Sequence, residues 1–253
     1  MCLTDGAAER ISPKGLYHKY KEHIRYRNAP AYLLCAGAYV ASDFRLIHAY
    51  PGKKLKFGYF PELRTYEGDT LWEKKRKDGI DIIFAGRFIP LKHPEYMIRL
   101  AADLKKLWEE GQSKEDAEAA FPQVLIHMAG SGQMEEELRQ MAKDLQVEKE
   151  VIFYGFQSAA AVRDRMEQSH IMVFPSNHLE GWGAVVNEAM NSGCAVVACE
   201  QAGAVPYLIK NGENGFIFKK DYKELLQKVT ELVKKPELRL RMAKAAIRSY
   251  RNI

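Results

Sequence analysis

Short apolar segments alternate with longer amphipathic segments from about residue 80 to the end of the chain. Six of the apolar segments have the length and composition of buried strands: IDIIFAG, QVLIHMAG, VIFYG, IMVFP, CAVVAC and GFIF. Segments with helical periodicity, such as HPEYMIRLAADLKKLWEEG, separate them. Strands that alternate with helices predict an α/β fold with a doubly wound parallel sheet. Ligands of such sheets bind at the carboxyl ends of the strands.

The first part of the chain contains fewer elements. Residues 1–60 hold one predicted helix (KGLYHKYKEHIRYR), one predicted strand (AYLLCAG) and two shorter pieces (SDFRLIHAYP and KLKFGYF). These are too few for a second complete sheet domain. We therefore expect an incomplete N-terminal α/β portion at residues 1–60, a charged linker at 61–79, and a ligand-binding domain at 80–253.

The basic surplus of the chain lies at its start. Residues 1–60 hold ten Lys or Arg and four acidic residues, whereas the whole chain has a net charge of +5. The basic, tyrosine-rich first helix suits a solvated surface, a membrane surface, a phosphorylated acceptor or nucleic acid. The longest apolar run, AYLLCAGAYVA, is too short to span a bilayer, and the start of the chain has no apolar signal region. These features predict a cytoplasmic protein.

The cysteines favour a reduced compartment. Cys194 and Cys199 both belong to the strand-like run CAVVAC, and their odd separation places them on opposite faces of a strand. A disulfide or a shared metal between them is therefore not expected.

Three predicted strand ends carry residues suited to an anion or a base. Arg87 and Lys92 follow the first strand in GRFIPLKH and together can hold a diphosphate, or they are two solvated loop cations. Gly130 and Gly132 in AGSG allow backbone N–H groups to approach an anion, although the turn lacks the third glycine of the dinucleotide fingerprint and also suits an ordinary strand-to-helix turn. Phe156, in YGFQS, offers an aromatic face to a base.

Two glutamates stand out in the stretch SNHLEGWGAVVNEAMNSG. Glu180 precedes a short, mostly apolar helix, and Glu188 lies on it. A carboxylate among apolar neighbours needs hydrogen-bond partners, and the two hydroxyls of a ribose suit it. The alternative is a half-exposed helical glutamate paired with a lysine.

The motifs in order resemble the donor half of the group 1 glycosyltransferases, the retaining family 4 enzymes with the GT-B fold. The order is GR-x4-K, G-S-G, V-x-F-x-G-F, EGWG-x4-EAM, G-x-x-P and NG-x-x-G-F, over roughly residues 80–235. The resemblance implies that Glu188 holds the nucleotide ribose and Glu180 contacts hydroxyls of the transferred sugar. It implies that Arg87 and Lys92 grip the diphosphate. The residues that it marks as catalytic are Arg87, Lys92 and Glu180, and those that it marks as substrate-binding are Gly86, Gly130, Gly132, Phe156, Gly181, Trp182, Gly183, Ala184, Val185 and Glu188.

The resemblance also implies an activity. We expect transfer of a sugar, with retention, from a UDP- or GDP-sugar to a hydroxyl of a glycan or lipid-linked acceptor, in glycan or polysaccharide biosynthesis. No metal or cofactor is expected, and the sequence has no Asp-x-Asp motif. One alternative is a nucleotide-sugar-binding module without catalysis of its own. An epimerase of the same fold would need an acid–base pair that the sequence does not reveal, and nucleic-acid binding through the basic first helix is disfavoured.

The sequence departs from the family pattern in residues and in length. His93 stands where family members often have glycine, Tyr207 where they often have glutamate, and Trp182 where phenylalanine is usual. Residues 1–60 resemble only the last part of the first of two Rossmann-like domains. We therefore expect a truncated or split glycosyltransferase that exposes apolar surface and that oligomerises or binds a partner chain. The basic first helix predicts peripheral contact with the inner face of the membrane.

Overall fold

The computed structural model describes residues 12–112 and 121–251. Its strands are β1 (Leu33–Ala36), β2 (Lys54–Phe57), β3 (Ile80–Ala85), β4 (Val124–Ala129), β5 (Val151–Gly155), β6 (Ile171–Phe174), β7 (Ala195–Cys199) and β8 (Phe216–Phe218). Its α-helices are α1 (Pro13–His23), α2 (Val40–Leu46), α3 (Thr70–Glu73), α4 (Glu95–Gln112), α5 (Glu135–Asp144), α6 (Ala159–Gln168), α7 (Val185–Asn191), α8 (Val205–Leu208), α9 (Tyr222–Lys234) and α10 (Pro236–Arg251). Short 3-10 helices cover Ile24–Tyr26 and Pro90–Lys92.

Six strands form one parallel sheet in the order β5-β4-β3-β6-β7-β8. The chain runs outward from β3 through β4 to β5, crosses back to place β6 beside β3, and continues outward through β7 to β8. This reversal creates a switch point between β3 and β6, which is where doubly wound sheets bind ligands. The predicted doubly wound parallel sheet is confirmed.

Helices cover both faces of this sheet, which is why its strands are almost continuously apolar. Side chains alternate across a strand, so β3 contributes to two separate cores. Ile82 and Phe84 pack in a cluster with α4, α5 and α9, whereas Ile83 and Ala85 pack in a cluster with α6, α7 and α10. The arrangement fixes where each strand ends and so where the connecting loops gather.

The described cysteines are buried and free. Cys194 belongs to one core and Cys199 to the other, so the two thiols lie on opposite faces of the sheet, as predicted. Burial raises the pKa of both thiols to about 11. The expected absence of a disulfide between these two residues is confirmed.

The N-terminal portion forms a second, small sheet, in which β1 and β2 pair in parallel. A cluster around Phe44 and Tyr50 supports it. The side chains of Leu34, Leu55 and Phe57 on these strands are 54%, 48% and 39% exposed. The exposed apolar surface predicted for an incomplete portion is therefore present. The residues before Ser12, including part of the predicted basic surplus, lie outside the described part of the chain.

The segment 61–79, predicted as a charged linker, packs closely against the large sheet domain. Leu71 on α3 is only 2% exposed and Lys75 only 8%. The Lys75 ammonium donates to the carbonyl oxygens of Glu167, Ser169 and Ser192 at 3.1, 2.5 and 3.3 Å. Charged side chains in this segment therefore serve as anchors, a role that composition does not reveal.

Candidate functional site

A cavity of about 390 Å³ opens at the carboxyl ends of β3, β4 and β5. Its volume lies at the lower end of the range for small-molecule sites. Six predicted site residues line it together: Gly86, Arg87, Gly130, Phe156, Val185 and Glu188. They come from segments far apart in the sequence, and the parallel sheet brings them to one edge.

The floor of the cavity is made by the loops after β3 and β4, which touch each other. A Cβ at Gly130, where φ is +152°, would lie 1.9 Å from the carbonyl oxygen of Gly86. A Cβ at Gly132 would lie 2.4 Å from the carbonyl oxygen of Phe88. The N–H of Gly130 donates to Gly155 at 3.0 Å. The glycines are thus required by close packing between loops, and the amide of Gly130 is already occupied. A role for either glycine in binding an anion stays a prediction.

Arg87 and Phe156 lie at the mouth of the cavity. The guanidinium of Arg87 is exposed, and the Phe156 ring is 86% exposed. A flat apolar face and a cation are thus both accessible to a ligand that enters from solvent.

Glu188 also lines this cavity. Its side chain is half-buried on α7, and among the residues that the structure describes its carboxylate has no hydrogen bond or ion pair. Burial raises the pKa of Glu188, while the positive charges of Arg163 and Arg64 act in the opposite direction. The predicted alternative, a pairing of this carboxylate with a lysine, is wrong.

Helix α7 is held by two asparagines that the sequence analysis did not select. Asn187 Oδ1 accepts from Trp182 Nε1 at 2.9 Å. Asn191 Oδ1 accepts from the backbone N–H of Arg64 at 2.8 Å and from Arg163 Nη2 at 2.6 Å. Both asparagines are fully buried, so these bonds fix the helix that carries Glu188. The available signal was two amide side chains on a helix whose other residues, apart from Glu188, are apolar.

Lys92 and Glu180 form an ion pair beyond the lining of this cavity. The ammonium of Lys92 donates to Glu180 Oε2, and the two side chains are 14% and 15% exposed. Lys92 also lies 5.4 Å from the centre of the Phe174 ring. The structure therefore joins directly two residues that the resemblance assigned to different parts of a ligand.

The next residue, His93, adopts the left-handed conformation with φ 47°. Glycine is the residue that takes this conformation readily, so a histidine here carries backbone strain. The His93 ring contacts Glu95 Oε1 through Nδ1 at 2.8 Å and Asn177 Nδ2 through Nε2 at 3.3 Å. These contacts tie the Lys92 turn to the loop that leads to Glu180.

The segment 181–184 connects Glu180 to α7. Gly181 is exposed, but Trp182 is 6% exposed and packs beside Tyr59 and Tyr207. Its indole faces the protein interior, so contact of Trp182 with a ligand is restricted to its backbone. Gly183, with φ +91°, lies against the Phe174 ring, and Ala184 caps α7.

The small N-terminal sheet reaches this segment. The N–H of Ala38 donates to the carbonyl of Gly203 at 2.9 Å. A Cβ at Gly37, where φ is +118°, would lie 2.7 Å from the carbonyl oxygen of Gly181. The turn after β1 thus closes one side of the Glu180 loop.

Other residues that line the cavity were not predicted as site residues: Ala85, Ala129, Ser131, Gln157, Ala159 and Val162. Ser131 and Gln157 adjoin predicted residues at strand ends. Ala159 and Val162 lie on α6, and neither residue type carries a sequence signal for a site.

Within residues 12–112 and 121–251, no cluster of three or more His, Cys, Asp or Glu side chains suits a metal ion. No helix in those same ranges is long and apolar enough to cross a membrane.

The parallel sheet, its switch point and the cavity at its strand ends define a Rossmann-like α/β domain, a class of fold whose ligands bind at the carboxyl edge of the sheet. The family model of the glycosyl transferases group 1 matches residues 72–249. The chain belongs to this family, and the predicted family is confirmed.

The sequence is also similar to individual glycosyltransferases. An uncharacterized glycosyltransferase of Haemophilus influenzae is 30% identical over 163 residues, which cover 64% of this chain and 42% of that protein. A D-inositol 3-phosphate glycosyltransferase of Acidothermus cellulolyticus is 30% identical over 156 residues, which cover 59% of this chain and 33% of that protein. The chain thus spans less than half of the length of these relatives.

A solved structure shows the same fold. HepE of Anabaena in complex with UDP and glucose matches with a TM-score of 0.71 at 17% identity, over 98% of this chain and 65% of that one. The predicted GT-B type of fold is confirmed.

Proposed function

We propose that this chain is the donor-binding part of a retaining glycosyltransferase, which transfers a sugar from a nucleotide-sugar to a hydroxyl acceptor. The observation that carries the proposal is the placement of Glu188 in one cavity with Arg87 and Phe156. The cavity offers a carboxylate for hydroxyls, a cation for phosphate and an aromatic face for a base. A nucleotide-sugar contains all three partner groups.

Glu188 is suited to the ribose. A half-buried carboxylate with no protein partner is unfavourable unless a ligand supplies hydrogen bonds. The two hydroxyls of a ribose can each donate to one of its oxygens. Burial raises the pKa of Glu188 and so disfavours its ionised form. Hydrogen bonds from a bound diol would stabilise that form.

Arg87 and Lys92 are suited to the diphosphate. In the structure, the Lys92 ammonium donates to the Glu180 carboxylate. A diphosphate would compete for Lys92 and free Glu180 to accept from hydroxyls of the transferred sugar. The two cations would then stabilise the negative charge that develops on the departing diphosphate.

We propose the following transfer step. The acceptor oxygen forms a bond to the anomeric carbon on the face that the diphosphate leaves, and the bond from that carbon to the phosphate oxygen breaks. The acceptor proton passes to a departing phosphate oxygen. This route places no protein base at the anomeric carbon and yields retention.

UDP is the favoured nucleotide, because the Anabaena protein of the same fold was solved with UDP. We propose a glycan or lipid-linked acceptor, and we expect the exposed Tyr17 and Tyr20 on the basic helix α1 to contact a membrane surface. A partner chain or a further domain would cover the exposed strands β1 and β2.

The experiment is calorimetric titration of the full chain with UDP, GDP, ADP and the corresponding sugar nucleotides. Glu188→Gln should weaken binding of the preferred nucleotide by about tenfold or more, because hydrogen bonds to a charged acceptor contribute about 1.5–3 kcal/mol. Arg87→Gln should weaken binding of the diphosphate and leave binding of the free nucleoside unchanged. Glu213→Gln, at an exposed surface glutamate, is the matched control.

The weaker nucleotide binding expected for Glu188→Gln cannot result from loss of the fold. The neutral amide removes a carboxylate whose ionisation burial disfavours, so Glu188→Gln should keep or slightly raise the melting temperature. The proposal is wrong if the preferred nucleotide binds equally well to the wild type, Glu188→Gln and Arg87→Gln.

A second candidate function is a nucleotide-sugar-binding module without turnover. The observation that favours it is the two-stranded N-terminal sheet, whose apolar face is open. Release of free sugar or transfer to a simple hydroxyl acceptor by the chain alone would exclude this candidate. Binding that depends on Glu188 without any turnover would support it.

A further inference from the structure

A second cavity, of about 320 Å³, lies at the opposite end of the same sheet. His170 directly precedes β6, and Gly193 shortly precedes β7, so this cavity lies at the amino ends of the strands. Trp72, residues 75–77 and helix α10 complete its wall. It is therefore separated by the length of the sheet from the cavity that contains Glu188.

The wall of this cavity is basic. Lys75, Arg76, Lys77 and Arg239 line it, and no aspartate or glutamate belongs to the described lining. Lys75 is committed to three backbone carbonyls, and Arg76 Nε lies 3.4 Å from Asp81 Oδ1. Lys77 and Arg239 are the cations that remain for a ligand.

Of these groups, Arg239 gives the clearest evidence for an anion site. Its Nη1 donates to the carbonyls of Leu232 and Val233 at 2.6 and 3.2 Å, at the end of α9. Within the described ranges, no carboxylate lies within 4.0 Å of its guanidinium. Burial lowers the pKa of Arg239. A partly desolvated cation without a counter-charge is costly, and a bound anion would offset that cost.

His170 also lines the cavity. Its Nδ1 accepts from the backbone N–H of Asp81 at 3.1 Å, so the neutral ring carries its hydrogen on Nε2. Burial, together with the positive charges of Lys75 and Arg239, lowers the pKa of His170 to about 4. The ring is therefore neutral at physiological pH, and its N–H meets the backbone carbonyl of Arg76.

The rest of the wall is apolar. Trp72, Pro236, Leu240 and Ala243 also line the cavity. The cavity volume exceeds that of a bare phosphate ion and suits a small molecule with an apolar body.

We propose that this cavity binds a phosphomonoester with a small apolar or aromatic body. The phosphate contacts Arg239 and Lys77, and the apolar body lies against Trp72 and Leu240. A phosphate is favoured over a carboxylate because it carries more charge and offers three acceptor oxygens to donors from different segments. The bound molecule joins the segment 61–79 to α10.

The test is calorimetric titration of the full chain with phenyl phosphate, alongside inorganic phosphate and phenol as its two halves. Phenyl phosphate should bind more tightly than either half. Arg239→Gln should weaken its binding by about tenfold or more, because a charge-assisted hydrogen bond and a full charge are lost. Arg248→Gln makes the same change at an exposed position of the same helix and should leave binding unchanged.

Two further variants keep the test decisive if Arg239→Gln does not fold. Lys77 is exposed, so Lys77→Gln should fold and should weaken binding by several-fold. Phenyl phosphate should change the tryptophan fluorescence of the wild type, and Trp72→Phe should remove that change. Binding that is indifferent to Lys77→Gln, with no signal from Trp72, would overturn the proposal.

The donor cavity must be excluded as the source of the signal. Phenyl phosphate should still bind to Arg87→Gln and in the presence of saturating UDP. Binding lost in Arg87→Gln and retained in Arg239→Gln would assign the phosphate to the donor cavity and refute the proposal.

Flotation with phosphatidylcholine vesicles, with and without phosphatidic acid, separates two sources of the phosphomonoester. Arg239-dependent binding of the acidic vesicles supports a lipid headgroup, and Arg239-dependent binding of phenyl phosphate alone supports a soluble compound. Absence of Arg239-dependent binding in both arms refutes the site.

Discussion

Replacing Glu167 by glutamine should lower the free energy of unfolding by about 3 kcal/mol. The Glu167 side chain is 3% exposed at the end of α6. Its Oε1 accepts from Arg64 Nη1 at 2.7 Å and from the Tyr66 hydroxyl at 2.8 Å, and its Oε2 accepts from Lys74 Nζ at 2.5 Å. All three donors belong to the segment 61–79, so a single carboxylate holds much of this segment on the large sheet domain.

The magnitude follows from the exposure of the partners. Removing one member of a buried ion pair costs about 3–5 kcal/mol. Arg64 and Lys74 are 28% and 48% exposed, so water can partly replace the lost carboxylate and the cost falls at the lower end of that range. Asp164→Asn is the matched control, because this carboxylate contacts the same Arg64 at 2.6 Å but is 61% exposed. Its loss should cost less than about 1 kcal/mol.

The assay is urea denaturation of wild type, Glu167→Gln and Asp164→Asn, followed by circular dichroism. Burial opposes ionisation of Glu167, but the hydrogen bonds from Lys74, Arg64 and Tyr66 outweigh it and hold the pKa of Glu167 below its usual value. The unfolded state therefore binds the proton more tightly, and the stability due to this carboxylate is lost as the pH falls below about 4.3. The wild type and Glu167→Gln should converge there. A difference at neutral pH no larger than that of Asp164→Asn would refute the reasoning.

Three further outcomes are expected. Gly130→Ala should abolish nucleotide binding in titrations, because the new Cβ would lie 1.9 Å from the carbonyl oxygen of Gly86 and must displace the loop that carries the site. His93→Gly should be more stable to urea than His93→Ala by about 0.5–1 kcal/mol, since both lose the contact with Asn177 but glycine relieves the left-handed backbone. Wild-type stability should fall by up to about 3 kcal/mol as the pH drops from 6.5 to about 4, because the unfolded state protonates His170 more readily than the folded state does.

Each of these three outcomes has a comparison that can contradict it. Gly212 also has a positive φ, +83°, but a Cβ there meets nothing within 4 Å, so Gly212→Ala should retain nucleotide binding. Equal stability of His93→Gly and His93→Ala would show that the turn stores no strain. His170→Gln should flatten the acid limb of the stability profile measured by thermal denaturation, and an unchanged slope would assign that limb to other groups.

Hydrophobic periodicity was sufficient to predict the strands of the large domain, since each of the six predicted strands occurs in its sheet. An apolar run such as IDIIFAG can be satisfied only by burial on both faces, and a parallel sheet between helices provides that burial. Strand ends were therefore predictable, and with them the positions of Arg87, Gly130 and Phe156. The choice of Glu188 as a candidate site residue was possible because a carboxylate among apolar residues is unfavourable without hydrogen-bond partners.

Contacts between distant segments were not predictable. The pairing of Lys92 with Glu180 joins residues 88 positions apart, and no local pattern marks it. Trp182 was expected at a ligand, but its indole faces inward because Asn187 and two tyrosines surround it. The burial of Glu167 was also not predictable. Its local sequence is typical of an exposed helical residue, but in the structure the segment 61–79 covers it.

The sequence by itself determined the class of fold and the family, and it predicted the edge of the sheet at which a ligand would bind, because strand and helix periodicity and short motifs are local properties of the chain. The tertiary structure alone decided which of those residues share a cavity and which cations have no charged partner. It also decided that a second cavity, lined by cations, lies at the amino ends of the strands. The physical reason is that charge compensation and desolvation depend on which groups come within a few ångströms of each other in space. Residues 72–77, His170 and Arg239 acquire a shared environment only when the folded sheet brings them together.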